Sequence, residues 1–209
     1  MELRRIGIRE VAAVIALALV LTDSAQAQTY TSPLDNFSVP VPTGIGQRIQ
    51  PQNDKDGGIV AFHDDFGGYR SIFYLRLSPR SIELQKNPEA HRANLEKFFN
   101  EYAMTWLFKP ASPAASVLHS EHTKFGQESA YFAIVNLPEG STMFDVKVQK
   151  RHDTKRAMIV FASGRFIYMV GSGENPSVLE LDNPEQPLEK LVEAERAKLT
   201  SFATTISFK

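Results

Sequence analysis

Cysteine is absent from all 209 residues. That excludes disulfides, thiol nucleophiles, cysteine-ligated zinc, iron–sulfur clusters and the lipid-modified cysteine of a bacterial lipoprotein. An excess of charge is missing too: 23 Lys and Arg stand against 24 Asp and Glu, a net charge of −1. Nucleic-acid binders carry a clear basic excess, so no nucleic-acid partner is expected. Nucleotide and nucleophile motifs are lacking. No G-x-x-x-x-G-K-[ST] occurs. Gly44-Ile45-Gly46 is followed by Ile49 where the dinucleotide fingerprint needs glycine, and Gly171-Ser172-Gly173 lacks the G-x-S-x-G spacing. No apolar run is long enough for a bilayer. The run Val11–Leu21 reaches about 16 Å as a helix, against a hydrocarbon core of about 30 Å.

What that short run does have is the flanks of an export signal. Arg4, Arg5 and Arg9 precede it, and Ala25-Gln26-Ala27 follows with small residues at the positions a signal peptidase reads. Residues 1–27 are therefore expected to be a cleaved signal peptide, cut between Ala27 and Gln28. Residues 28–209 are expected to be one domain, periplasmic or secreted. The signal carries as many acids (Glu2, Glu10, Asp23) as arginines, so its loss leaves the net charge unchanged.

The most apolar stretch of the remainder is Arg156–Gly171. Met158–Phe161 and Phe166–Val170 are rich in β-branched and aromatic residues, and Ser163-Gly164 between them reads as a hairpin turn. Both runs are apolar at every position, the mark of a strand buried on both faces. Tyr131–Val135 reads the same way. Further strands are expected at Phe37–Val41, Gly58–His63, Tyr69–Leu77, Ser116–Lys124 and Thr142–Lys150. The first is placed at an edge because Pro40 and Pro42 donate no ladder hydrogen bonds. The fifth is read with Phe144, Val146 and Val148 inward. Residues 43–57 and 78–86 read as loop and connector.

Two helices remain. Asn87-Pro88-Glu89 is a cap followed by proline and an acid, opening a helix to about Phe108. Its aromatic stripe of Leu95, Phe98, Phe99, Tyr102 and Trp106 reads as core, with a ligand pocket beside Tyr102 and Trp106 as the alternative. The second helix, 184–203, turns Leu188, Leu191, Val192, Leu199 and Phe202 to one side. Ile206 and Phe208 are expected to tuck onto the sheet. The fold class expected is α+β: a single-domain α/β/α sandwich, its mostly antiparallel sheet of about seven strands covered by two main helices.

The opening SPLDNFSVPVP, the helix entry from Ser81-Ile82 to Asn87-Pro88-Glu89, the hairpin RAMIVFASGRFIYMV and the closing Ser201-Phe202 and Ser207-Phe208 resemble the PsbP/DcrB-like α/β/α sandwich proteins. The resemblance implies that fold and a non-enzymatic accessory or assembly role with a protein partner. It implies no site residues. One departure is that Thr43-Gly44-Ile45-Gly46 stands where members often have Trp.

No catalytic, cofactor or metal site is expected. His119 and His122, three apart on a strand, point to opposite faces and do not converge on an ion. His63-Asp64-Asp65 before Gly67-Gly68 is turn composition. His91 is placed on the polar side of its helix, and Glu193 and Glu195 on a solvent face. Asn36-Phe37-Ser38 fits a glycosylation acceptor. The one concentrated surface feature is basic: Lys147, Lys150, Arg151, Lys155 and Arg156, with His152, fall within ten residues. They are the candidate contact for an anionic partner, either an acidic protein or an anionic membrane surface, although lysines and arginines around such a turn more commonly serve as guards on strand edges. Three functional readings stay open. The first is a non-catalytic binding or assembly protein, the second a membrane-docking protein using 147–156, and the third a hydrolase-type enzyme using His63 with Asp64 or Asp65.

Overall fold

The computed structural model describes residues 28–44, 48–65, 67–141, 144–146, 149–175 and 187–209. The leader 1–27, Lys147 and the helix start expected at 184–186 lie outside the described residues. Twelve strands are described: β1 Thr29–Thr31, β2 Phe37–Pro40, β3 Arg48–Asn53, β4 Gly57–His63, β5 Tyr69–Arg76, β6 Ser116–Phe125, β7 Glu128–Leu137, β8 Phe144–Asp145, β9 Lys150–Arg151, β10 Thr154–Ser163, β11 Phe166–Gly173 and β12 Ser207–Phe208. Seven of them form an antiparallel sheet in the order β3-β4-β5-β11-β10-β7-β6. The apolar hairpin β10–β11 sits at or next to its middle, where a strand must be apolar on both faces.

The two faces separate cleanly. Phe132, Ile134, Ile159, Phe161, Tyr168 and Val170 belong to one core. Tyr131, Ala133, Val135, Met158, Val160, Ile167 and Met169 belong to the other. The first face is covered by α3, Leu188–Ala203, and by a small sheet β1-β2-β12. The second is covered by α2, Pro88–Phe98, which lies over β7 and β10. Asn87 Oδ1 caps α2, accepting from the amides of Glu89 (3.0 Å) and Ala90 (3.1 Å).

Several expectations are corrected. Residues 43–57 contain β3. Its largely exposed, polar sequence RIQPQN has no amphipathic signal; its one strand neighbour is β4, as suits an edge strand carrying Pro51, with Ile49 packed on the first core and Asn53 Oδ1 accepting from the Tyr74 hydroxyl at 2.8 Å. Residues 78–86 contain a helix, α1 Pro79–Leu84, capped by Ser78. β2 is the middle strand of its small sheet rather than an edge. Pro40 is accommodated because β12 reaches only Phe37 and Ser38, leaving β1 as its sole neighbour. Of the strand expected over 142–150, residues 142, 143, 147 and 148 lie outside the described residues, and the described part does not face inward. Among the described residues, Phe144–Asp145 pair with Lys150–Arg151 outside the main sheet, and Phe144 and Val146 are exposed. The hairpin link is Gly164-Arg165 alone, since Ser163 and Phe166 still pair and Gly164 takes φ +58°, which a side chain resists.

The long helix also changes its winding. After Phe98 it continues as a π-helix over Phe99–Phe108, with Lys109 N bonded to Met104 O five residues back at 3.0 Å. The longer turn moves the buried face. Phe99, Ala103, Met104 and Phe108 go inward, at intervals of four or five rather than three or four. Tyr102 and Trp106, which belong to the α-helical stripe counted from Phe98, are carried outward to 36% and 76% exposure.

Candidate binding surface

α2 lies over β7 and β10, and among the described residues only the edge contacts of Phe98 and Tyr102 with Phe73 reach the β3–β5 portion of the second face from a helix. Across it Ile59, Phe73 and Met169 are register partners, as are Gly57, Leu75 and Ile167. Phe73 and Leu75 are only partly buried. Position 57 requires glycine, because a Cβ there would lie 2.4 Å from the Tyr74 carbonyl oxygen. Two recesses meet at Leu75. One, about 280 Å³, runs between Leu77, Ile167, Phe98 and Tyr102. The other, about 350 Å³, lies over Ile59 and Phe73. Together they make an apolar groove between the sheet and the α2–π helix.

An aromatic ladder forms the groove's wall. Phe73 lies 5.9 Å from Phe98, Phe98 stacks on Tyr102 at 4.4 Å, and Tyr102 stacks on Trp106 at 6.5 Å. Trp106 is the chain's one tryptophan. A large exposed aromatic at the end of a stacked row is apolar area that folding has left in water, and residues of this kind anchor protein interfaces. The rim is polar but nearly balanced. Lys97 pairs with Glu101 at 3.7 Å and Lys55 with Asp56 at 3.9 Å.

The basic segment does not form one patch. Lys150 lies 3.8 Å from Glu139, and Arg151 is exposed. Lys155 lines a recess beside Glu195 and Lys198. Arg156 turns away from solvent, its guanidinium 4.1 Å over the Tyr69 ring and its Nη1 shielded and without a hydrogen-bond partner among the described residues. It reaches Tyr69 across Gly173, where a Cβ would meet Arg156 Cδ at 2.6 Å. Lys147 lies outside the described residues. Alternation along β10 puts Lys155 and Arg156 on opposite faces.

Polar residues collect instead where β5, β11 and α3 meet. Arg70 Nη2 donates to Glu174 Oε1 at 3.0 Å, Lys198 Nζ lies 3.3 Å from Glu174 Oε2, and Lys198 pairs with Glu195 at 3.2 Å. Glu195 was expected in solvent and is 6% exposed. Its position continues the Leu188, Leu191, Val192, Leu199 stripe, so the helix carries it to the sheet. Burial pushes Glu174 up, but Arg70 and Lys198 outweigh it and hold the carboxyl below its ordinary value. Burial likewise lowers Lys198, and Glu195 and Glu174 outweigh it and raise the amine. The signs give a window. Glu174 contributes stability above the ordinary carboxylate pKa, lost as pH falls through its depressed value. Lys198 contributes below the ordinary lysine pKa, lost as pH rises through its raised value. Glu174→Gln is therefore expected to flatten the stability profile on the acid side, below about pH 5. Urea midpoints measured from neutral pH downward check this, and a profile parallel to that of the unaltered protein would overturn it.

His63 rests against Tyr69 at 5.1 Å, its pKa lowered by burial, then by Arg156 and Arg48. Asp64 Oδ1 accepts from Gly68 N at 2.7 Å, and Asp65 pairs with Arg48 at 3.0 Å, so both carboxylates serve the turn. His119 and His122 face opposite sides: His119 lies by Phe132, and His122 by Tyr131 and Glu96. His91 is buried, not solvated, because it leads the Leu95 and Phe98 stripe. Burial lowers its pKa against the opposing pull of Glu128. Asn36 is buried and donates to the Tyr168 hydroxyl at 3.0 Å, which removes it as a glycosylation acceptor in the folded chain. No group of three or more His, Asp or Glu placed to hold a metal ion occurs among the described residues.

No family model and no curated protein sequence matches the chain. Structures of similar fold include cyanobacterial PsbP from Synechocystis sp. PCC 6803, at 10% identity and TM-score 0.48, spanning 87% of this chain and 92% of that one. A crystal structure from Bacteroides thetaiotaomicron VPI-5482 is similar at 10% identity and TM-score 0.44, spanning 88% and 49%. The Ran-binding protein Mog1p of Saccharomyces cerevisiae is similar at 6% identity and TM-score 0.47, spanning 87% and 94%.

Proposed function

We propose that this chain is an exported, non-catalytic binding module that docks an apolar segment of a partner protein into the groove beside Trp106. The observation that carries the reading is Trp106 itself, 76% exposed and stacked on Tyr102. Tyr102 lines the recess that meets Leu75, which adjoins the one floored by Phe73 and Leu75. An aromatic anchor beside a preformed apolar trough is the usual arrangement of an interface hot spot. Export rests on the basic flank, apolar run and small residues of 1–27. The non-catalytic character rests on the missing nucleophile and nucleotide motifs.

A photo-reactive residue in place of Glu101, at the groove's rim, is expected to yield one discrete adduct in cells. The adduct is lost on Trp106→Ala. The captured protein, purified, is then expected to shift the Trp106 emission from that of tryptophan in water toward shorter wavelengths. An adduct indifferent to Trp106→Ala, or no adduct in cells that export the protein, would sink the reading. N-terminal sequencing of the exported protein checks the leader separately, with Gln28 as the expected first residue.

A further inference from the structure

We infer that the partner segment docked in the groove is an amphipathic α-helix, laid along β4 with its N-terminal end over Asp54. This rests on the groove being a protein-docking surface and specifies what fits it.

The dimensions of the open strip select a helix. β3, β4 and β5 are neighbours at one end of the sheet, and three adjacent strands are about 10 Å across. One helix is about 10 Å in diameter, whereas an extended segment would cover about half that width. On the inner side Ile167 and Met169 of β11 are already buried. On the outer side Gln50 and Gln52 of β3 are exposed, and register sets them beside Ala61 and Ile59. The strip is therefore apolar along Ile59, Phe73 and Leu75 and polar at its outer margin, the complement of a helix with one apolar face. β4 runs seven residues, Gly57–His63. That is about 20 Å of strand, matched by about fourteen residues of helix.

Charge gives the helix its direction. Asp54 and Asp56 line the recess at the Gly57 end. Lys55 offsets Asp56 at 3.9 Å, while the Asp54 carboxylate has no partner among the described residues. At the other end His63 pairs in register with Tyr69, and the Arg156 guanidinium lies 4.1 Å over the Tyr69 ring. No described carboxylate pairs with Arg156. The strip is thus negative at one end and positive at the other. A helix carries the complementary charges, partial positive at its N-terminus and partial negative at its C-terminus. Extended chain has almost no net dipole to offer.

Three blocked, net-neutral peptides of about fourteen residues test this against the purified, nitrogen-15-labelled protein. The first carries leucine at helical spacing. The second has the same composition with leucine at alternate positions. The third is the first with a central proline. Amide shifts at Ile59 and Phe73 should saturate one-to-one with the first peptide, and circular dichroism should show helix gained on binding. The other two should bind roughly tenfold more weakly or worse, since neither presents a continuous apolar helix face. A spin label on the N-terminus of the first peptide should broaden the Gly57 amide and spare that of His63. Gln52→Tyr, at an exposed position beside Ile59, should weaken binding roughly tenfold by crowding the strip while leaving the melting temperature in place. No saturable shift at millimolar peptide, the alternating or proline peptide binding as well as the first, binding indifferent to Gln52→Tyr, or broadening at His63 in place of Gly57 would each overturn the assignment. Equal binding by the alternating peptide would leave the groove a docking surface for extended chain, and the cellular adduct at position 101 tests that surface whichever peptide binds.

Discussion

Phe161→Ala is expected to remove about 3–5 kcal/mol of stability, and with it about 6–20 °C of melting temperature at this chain length. Phe161 is 1% exposed and joins three parts of the structure. It meets Phe125 at the end of β6 at 4.7 Å, stacks on Tyr168 of its hairpin partner at 5.5 Å, and meets Phe208 of β12 edge-on at 5.1 Å. Truncation leaves a cavity that β10, at or near the middle of the sheet, has little freedom to close. Each aromatic pair contributes roughly 0.5–1.5 kcal/mol beyond area burial, so the upper half of the range is favoured. A net stability of 5–15 kcal/mol is typical of folded proteins, so a large share of the total goes with one side chain. Urea and thermal unfolding measure the loss. A cost below about 1 kcal/mol would mean that β12 and the β6–β7 turn do not pack on the hairpin as described.

The Trp106→Ala/Tyr102→Ala double variant is expected to do the reverse, sparing the fold and abolishing the interaction. Trp106 is mostly in water, so its removal should alter stability by no more than about 0.5 kcal/mol; Tyr102, stacked at 4.4 Å on Phe98, should account for most of whatever cost appears. Binding should suffer far more. Interface anchors of this type contribute about 2 kcal/mol or more each, which for two anchors is at least a hundredfold in affinity. The measurement is the affinity of the double variant for the protein cross-linked from position 101, with melting temperature as the control for folding. Binding retained in the double variant but lost in Lys150→Glu/Arg151→Glu would move the docking surface to the basic hairpin.

Side-chain period explains what could be read in advance. An unbroken apolar run needs cover on both faces, so Met158–Phe161 and Phe166–Val170 announced a central hairpin, and the structure places it there. Asn87-Pro88 announced a capped helix for the same local reason. The candidate surface was legible only in part. Tyr102 and Trp106 stood out as aromatics on a helix, but α-helical spacing assigned them to the core. The π winding that turns them outward has no counterpart in the residue pattern, because it depends on how Phe99, Ala103, Met104 and Phe108 settle into the second core. His91 and Glu195 were misplaced by residue type, though their spacing from Leu95 and from Leu191 already put them on the buried stripes. The basic residues 150–156 were adjacent in sequence, yet strand alternation sends Lys155 and Arg156 to opposite faces.

Local chemistry in the chain therefore settled the strands with strong period, the capped helix and the turn glycines, because each depends on neighbours a few residues away. Tertiary structure alone decided which helix lies over which strands, that β3 forms without an amphipathic signal, that α2 lies over β7 and β10 rather than over β3–β5, and that Trp106 faces water. Those outcomes depend on contacts between segments far apart in the chain, and a residue's exposure there is set by what packs beside it rather than by what it is.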